Sequence, residues 1–418
     1  MGCRTARGAM QKSDMRDGRS HRPEHRPCRT GPMVIMMVAL AGCSLPFAGR
    51  HQDVDVALSD TGPLHYVTDR APDSETSAPM KVGAYGGERS QSMAYGVLTD
   101  REDAAPAVRE VVRFPATPLE FTMRGGRPVT LPEDAAAYAA AARRFTERIA
   151  AALRESQRSE VLMTVHGVNT NFAEAMAATA TVWRATDRAA VPVAFSWPAR
   201  DAGLLSYFTD RESGEFAIYH LKETLRLLAD IPQLERLHIV AHSRGTDVVT
   251  TALREMVIAA RASGRDPPQV LKVENLILAA PDLDFDVVRQ RLIAERFGPA
   301  IGRITVYMNE GDEVLALAQT LMKGIRFGRL SHEDLGEAER EIFKRIRNVD
   351  FISVGNVVGR NSHGYFRRNP AVLSDMAAIL RFDAPPDDED RYLTADGGNF
   401  WLLETPPRIQ GPVRTASR

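Results

Sequence analysis

The sequence predicts an α/β fold: a mostly parallel, doubly wound sheet with helices on both faces and an antiparallel N-terminal edge. Three observations carry this. Short segments of continuous Val, Ile, Leu and Ala recur after residue 160, each the length of a strand buried on both faces. Helix-length amphipathic stretches separate them, as a βαβ series requires. Before residue 131 the apolar pieces are shorter and divided by Gly and Pro, the pattern of antiparallel hairpins.

The elements follow in order. A first strand is predicted around 64–68, then β-like pieces at 95–98, 110–114 and 119–123. Thr130 and Glu133 have the spacing of a capping box and open an Ala-rich helix to about Arg154. Strands are predicted at 160–165, 191–196, 236–241, 273–279, 303–308 and 349–354. Helices are predicted near 172–188, 211–229, 244–261, 284–296, 313–323, 334–346 and 370–381. The α/β domain is assigned to residues 64–383. A polar tail follows over 384–418, including the acidic run Asp387 to Asp390.

Composition narrows the chemistry. Residues 1–42 carry eight Lys/Arg against three Asp/Glu, and the rest carries 45 against 51. The predicted body is therefore mildly acidic, which excludes the basic footprint of a nucleic-acid-binding surface. All three cysteines, Cys3, Cys28 and Cys43, precede residue 44, so the body has no disulfide, thiolate metal site or cysteine nucleophile. No His/Asp/Glu cluster has metal-ligand spacing, and no metal or cofactor is predicted.

Residues 1–42 read as a targeting leader. Arginines up to Arg29 precede the apolar run Met33 to Leu40, which ends in Ala41-Gly42-Cys43. The run is too short to span a bilayer. Leu40-Ala41-Gly42-Cys43 resembles a bacterial lipobox, which implies that Cys43 becomes the acylated N-terminus of the mature chain. Ser44 after it points to the periplasmic face of the outer membrane. The alternatives are an ordinary secretory signal or a plain buried cysteine. The long basic region leaves Met10 and Met15 as alternative starts, and residues 43–63 are predicted as a flexible tether.

The chemistry centres on Ala241-His242-Ser243-Arg244-Gly245, which joins an apolar strand to a helix. That context is a nucleophile elbow: the serine sits on a sharp turn and needs small residues two before and two after it. The plainer alternative is a serine capping the helix. His242, beside the nucleophile, is read as packing or support. The turn His166-Gly167-Val168-Asn169 ends an earlier strand, where Val168 N–H, with Arg244 N–H, would form an oxyanion hole. In this fold the acid and then the base follow the serine. Of the two later histidines, His332 lies in a charged helix start, whereas His363 follows the last strand of the series and is the predicted base. Asp312 is the predicted acid, with Asp282 as the alternative; either is equally explained as a helix cap.

These residues resemble a bacterial α/β-hydrolase family, catalogued as a domain of unknown function within the esterase/lipase superfamily. The matching stretches are Thr68-Asp69-Arg70, Tyr85-Gly86-Gly87-Glu88-Arg89, His166-Gly167-Val168-Asn169, Phe195-Ser196-Trp197-Pro198 and Asp210-Arg211-Glu212-Ser213. Ala241 to Gly245, Ala279-Ala280-Pro281-Asp282 and His363-Gly364-Tyr365-Phe366 complete the set, which runs over roughly residues 64–380. The resemblance implies the α/β-hydrolase fold and a triad of Ser243, Asp312 and His363, and it implies no substrate. Arg244 departs from the hydrophobic residue expected after the serine.

The expected activity is hydrolysis of a carboxylic ester, in a small molecule or a lipid, through an acyl-enzyme, with the protein anchored to the envelope membrane by its N-terminal lipid. Two alternatives stand beside it: a non-catalytic envelope scaffold that keeps the fold, and a thioesterase or amidase using the same triad. Trp197, Tyr207, Phe208 and Arg211 are candidate pocket walls, and 323–347 is a candidate lid or a solvated helix.

Overall fold

A computed structural model describes residues 58, 62–72, 80–81, 85–101, 104–199, 206–359 and 362–405. The leader, Cys43 and nearly all of the tether lie outside the described residues. Every element belongs to the unit His51–Arg418.

Fourteen strands are described: β1 (Leu64–Pro72), β2 (Met80–Lys81), β3 (Tyr85–Arg101), β4 (Ala104–Arg113), β5 (Phe121–Arg124), β6 (Arg127–Thr130) and β7 (Glu160–Val165). The series continues with β8 (Val191–Ser196), β9 (Arg236–His242), β10 (Val273–Ala279), β11 (Arg303–Met308), β12 (Val349–Ser353), β13 (Leu393–Ala395) and β14 (Phe400–Leu403). Twelve form one sheet in the order β13-β14-β12-β11-β10-β9-β7-β8-β1-β3-β4-β2; β5 and β6 pair as a separate hairpin. From β14 to β1 all neighbours are parallel, and β3, β4, β2 and β13 are antiparallel edges.

The apolar runs of the central strands are continuous because alternate side chains serve two cores. Val161, Met163 and Val165 of β7 and Leu237, Ile239 and Ala241 of β9 face one core, where Phe145, Leu221 and Val249 meet them. These come from the helices Pro132–Glu155, Ser206–Ala229 and Gly245–Ala262. Leu162 and Val240 face the other core, with Val182 of Phe172–Ala185 and Met376 of Pro370–Phe382. Each of the Val, Leu, Ile, Met and Phe side chains among them contributes roughly 1.5–3 kcal/mol on burial.

Four expectations need correction. The Thr130/Glu133 capping box does not form. Thr130 pairs with Phe121 in the β5–β6 hairpin, and the helix starts at Pro132 after Leu131 with no side-chain cap. Proline explains the start, since its fixed φ suits the first helical turn. The helix expected over 284–296 is a short α turn, Phe285–Val288, running into a π-helical turn, Arg289–Ile293. The stretch assigned as a polar tail from 384 carries β13 and β14, which extend the sheet beyond residue 383. There Phe400 stacks on Phe351 with centroids 4.6 Å apart. Finally, the lid or solvated helix at 323–347 buries Phe327, Leu330, Leu335 and Phe343 in the core. Among the described residues no helix is long and apolar enough to cross a membrane.

Candidate active site

Parallel α/β sheets build their sites beyond the carboxyl ends of the strands. Ser243 follows β9 there with φ 51°, a left-handed conformation that costs a non-glycine residue of the order of 1–2 kcal/mol. The neighbourhood enforces it. Ser243 N–H donates to Ala279 O (3.0 Å), and Ser243 O accepts from Thr246 Oγ1 (2.6 Å) and Asp282 N–H (3.3 Å). Gly245 then passes so close to the β7 loop that a Cβ there would sit 2.2 Å from His166 O. The helix Gly245–Ala262 starts at this point, with its positive end beside the serine.

Gly167 brings the loop after β7 against the same serine. A Cβ on it would lie 2.6 Å from Ser243 Cβ, so only glycine fits. Among the described residues, the main-chain N–H groups of Val168 and Arg244 donate to no protein acceptor. The structure therefore leaves the two predicted oxyanion donors uncommitted.

His363 lies between Ser243 and Asp312. Its Nε2 is 2.9 Å from Ser243 Oγ, and its Nδ1 is 2.7 Å from Asp312 Oδ2. With Nδ1–H donating to the carboxylate, Nε2 accepts the serine O–H. Asp312 is fully buried and does two jobs with separate oxygens: Oδ1 caps the helix Glu313–Met322 by accepting from Val314 and Leu315 N–H, both at 3.0 Å. Its turn is set by Asn309, whose carbonyl accepts Asp312 N–H. His242 supports His363 from behind. Burial, then the neighbouring His363, holds His242 well below its usual pKa; the neutral ring donates from Nε2 to His363 O (3.0 Å) and stacks on Phe366.

Asp282, the alternative acid, is engaged elsewhere. Its Oδ2 accepts from Tyr207 OH (2.8 Å), and its carboxylate stands 3.8 Å from Arg244 Nε and 3.7 Å from Arg326 Nη1. Two cations hold it in place of a histidine. Tyr207 thus reaches the loop beside Ser243, whereas Phe208 and Arg211 are exposed. His332 lies against Phe400, 5.2 Å between centroids, at the added edge of the sheet.

Two residues matter more than their sequence signal showed. Trp197, a candidate pocket wall, is fully buried; it stacks on His166 (5.1 Å, 7°) and donates to His166 O (2.7 Å). Arg70 is buried to 1% exposure and donates to Ser196 Oγ, Gly86 O, Ala199 O and Thr170 O at 2.6–2.9 Å. It thereby ties the loop after β7 to β1, β3 and β8. Only the resemblance of Thr68-Asp69-Arg70 pointed to it, because an isolated arginine gives no periodic signal.

His166 completes this support. Burial, then Arg70, pulls its pKa from 6.5 down to about 3, so the ring is neutral and Nδ1–H donates to Gly167 O (2.8 Å). A histidine depressed in the folded state gives stability that is full above the unfolded value of ~6.5 and lost as pH falls from there towards 3. His65, pulled down to about 4 by burial and Arg148, acts in the same direction. Asp350, raised to about 6 by burial, acts against both as pH falls below 6. The comparison that isolates His166 is denaturant unfolding of the parent and His166→Asn. Between pH 6.5 and 5 the parent should lose about 2 kcal/mol more than the variant; parallel losses would refute a buried neutral His166.

Comparison with known proteins places this geometry. The model of the family described as "Alpha/beta hydrolase of unknown function (DUF900)" matches residues 141–381, more than half of the chain. The chain belongs to the DUF900 family. Its sheet, flanking helices and strand-end loops are those of an α/β-hydrolase. No curated relative matches the DUF900 chain. Among solved structures it is similar to a CIB-like hydrolase from Thermoplasma acidophilum, at 16% identity over 54% of this chain and 88% of that one, with a TM-score of 0.31. It is also similar to an esterase from Rhizomucor miehei, at 12% over 53% and 74% (TM-score 0.29). Est1E from Butyrivibrio proteoclasticus, solved with ferulic acid, matches at 11% over 53% and 88% (TM-score 0.28). Superpositions this loose carry no argument about substrate. Among the described residues of this DUF900 protein, no group of three or more His, Cys, Asp or Glu is arranged to hold a metal ion.

Proposed function

We propose that this α/β-hydrolase cleaves carboxylic esters through an acyl-enzyme on Ser243, with His363 as base and Asp312 as acid. The observation that carries the reading is the position of His363, within hydrogen-bond distance of both Ser243 Oγ and Asp312 Oδ2. Ser243 Oγ attacks the ester carbonyl carbon as its proton passes to His363 Nε2, and the carbonyl oxygen becomes an oxyanion facing Val168 and Arg244 N–H. Collapse breaks the bond to the alcohol, which takes the proton from Nε2 and leaves. Water repeats the cycle: it gives a proton to Nε2, attacks the acyl carbon, and the acid departs as the proton returns to Ser243. Each oxyanion donor lowers the barrier by about 2.7–4 kcal/mol.

A fluorophosphonate tests this directly, with phosphonylated Ser243 in the parent and no label on His363→Ala as the expected result. An unlabelled parent would support the scaffold reading instead. Rates on matched ester, thioester and amide substrates, fastest for the ester, check the leaving group.

The envelope anchor rests on separate grounds: the basic leader, the short apolar run and Leu40-Ala41-Gly42-Cys43. We propose that Cys43 carries lipid and holds the enzyme to the membrane, on the periplasmic face of the outer membrane, where small or lipid esters reach it. Several acyl chains anchor firmly, at ~0.8 kcal/mol for each buried methylene. Mass spectrometry of the mature chain should find acylated Cys43 as the first residue; an intact, unmodified leader would exclude it.

A further inference from the structure

A cavity of about 550 Å³ opens against one face of the sheet, outside the candidate active site. Its floor is Leu278 of β10, Val306 of β11 and Phe351 of β12. Its walls include Leu292 and Ile293 of the π-helical turn and Phe343 of the helix Glu337–Arg345. None of Ser243, His363, Asp312, Gly167, Val168 and Arg244 lines it.

Well-formed apolar pockets are few per protein. One of this size falls in the range of ligand sites, roughly 300–1,000 Å³. The π-helical turn is a second sign. Such turns are uncommon and concentrate at functional sites, and this one supplies two of the cavity's apolar walls.

The lining is not wholly apolar. Arg296 and Arg347 both border the cavity and both are exposed. Neither has an acidic partner among the described residues. Two uncommitted guanidiniums beside an apolar chamber are complementary to an anion joined to a hydrocarbon. At roughly 30 Å³ for a group the size of a water, the chamber has room for a dozen or more methylenes.

We propose that this cavity is a second ligand site, which takes one apolar chain inside and pairs its anionic head, a carboxylate or a phosphate monoester, with Arg296 and Arg347. The site is independent of the chemistry at Ser243. It is adapted to the amphiphiles that ester cleavage releases or that a membrane surface supplies.

Calorimetric titration of the full chain with octanoate, decanoate and dodecanoate, below their micellar concentrations, tests it. The expected result is one site per chain, with affinity rising about fourfold for each added methylene. Dodecanol should bind about tenfold more weakly than dodecanoate, and the Arg296→Ala/Arg347→Ala double variant should erase that difference. Dodecyl phosphate against dodecanoate identifies the preferred head. Leu292→Trp should fill the chamber and abolish binding; its Ser243 labelling and thermal transition verify that it is folded, and Val306→Phe provides a second filling variant. Binding must survive phosphonylation of Ser243. Absence of saturable binding, loss of binding on phosphonylation, or a dimer that closes the face and excludes dodecanoate would each overturn the proposal.

Discussion

Ser243→Ala is expected to lower ester turnover by about a millionfold while leaving the fold intact. The size follows from cooperation: without the nucleophile, His363 and Asp312 have nothing to activate, and losing the nucleophile or the base of such a unit costs about as much as losing all three members. A residual acceleration of ~10³–10⁴ over water is expected from oxyanion donors and substrate binding. Stability should change little. The hydroxyl's recorded partner is His363, and alanine tolerates φ 51° no better and no worse than serine. Turnover of a chromogenic ester beside a denaturant titration measures both effects. Retention of turnover within tenfold would remove Ser243 from the mechanism.

Asp312→Asn is expected to cost about 10⁴-fold in kcat. Asparagine can keep Oδ1 on Val314 and Leu315 N–H, so the helix cap survives. Its NH2 group then faces His363 Nδ1 as a donor and forces the proton onto Nε2, where the ring no longer accepts from Ser243. The loss is one of tautomer, not of folding. Asp282→Asn gives the contrast. Its carboxylate balances Arg244 and Arg326 inside the protein, and breaking a buried pair costs about 3–5 kcal/mol. The expected signature there is lost stability with kcat within about tenfold. If Asp282→Asn shows the larger fall in kcat and Asp312→Asn the smaller, the acid is misassigned.

Much of this was legible in the sequence because the central sheet announces itself. The strands Glu160–Val165, Val191–Ser196, Val273–Ala279 and Arg303–Met308 match the predicted bounds, since burial on both faces leaves runs dominated by apolar residues. Ser243, Gly167, Asp312 and His363 could be proposed because each follows such a run. Other features lacked a local signal. The 17-residue strand β3 carries Glu88 to Ser92 in its middle, and polar residues at an antiparallel edge read as loop. β14 has four residues, too few for a period. The choice between Asp312 and Asp282 was open because both follow strands and both suit a helix cap; the deciding difference is which one has arginines around it, a three-dimensional fact. The work of Arg70 was hidden for the same reason, since its acceptors lie 16 to 129 residues away.

Arg70 bears on how this protein can be divided. The family match begins at residue 141, yet the loop that would receive the oxyanion is fastened by a side chain from β1, seventy-one positions earlier. A fragment beginning at 141 keeps Ser243, Asp312 and His363 but gives up the tie that fixes Thr170, Ser196 and Ala199. The recognisable segment is thus not an autonomous module. Its competence is borrowed from the N-terminal hairpins, and changes around residue 70 should register in the loops after β7 and β8.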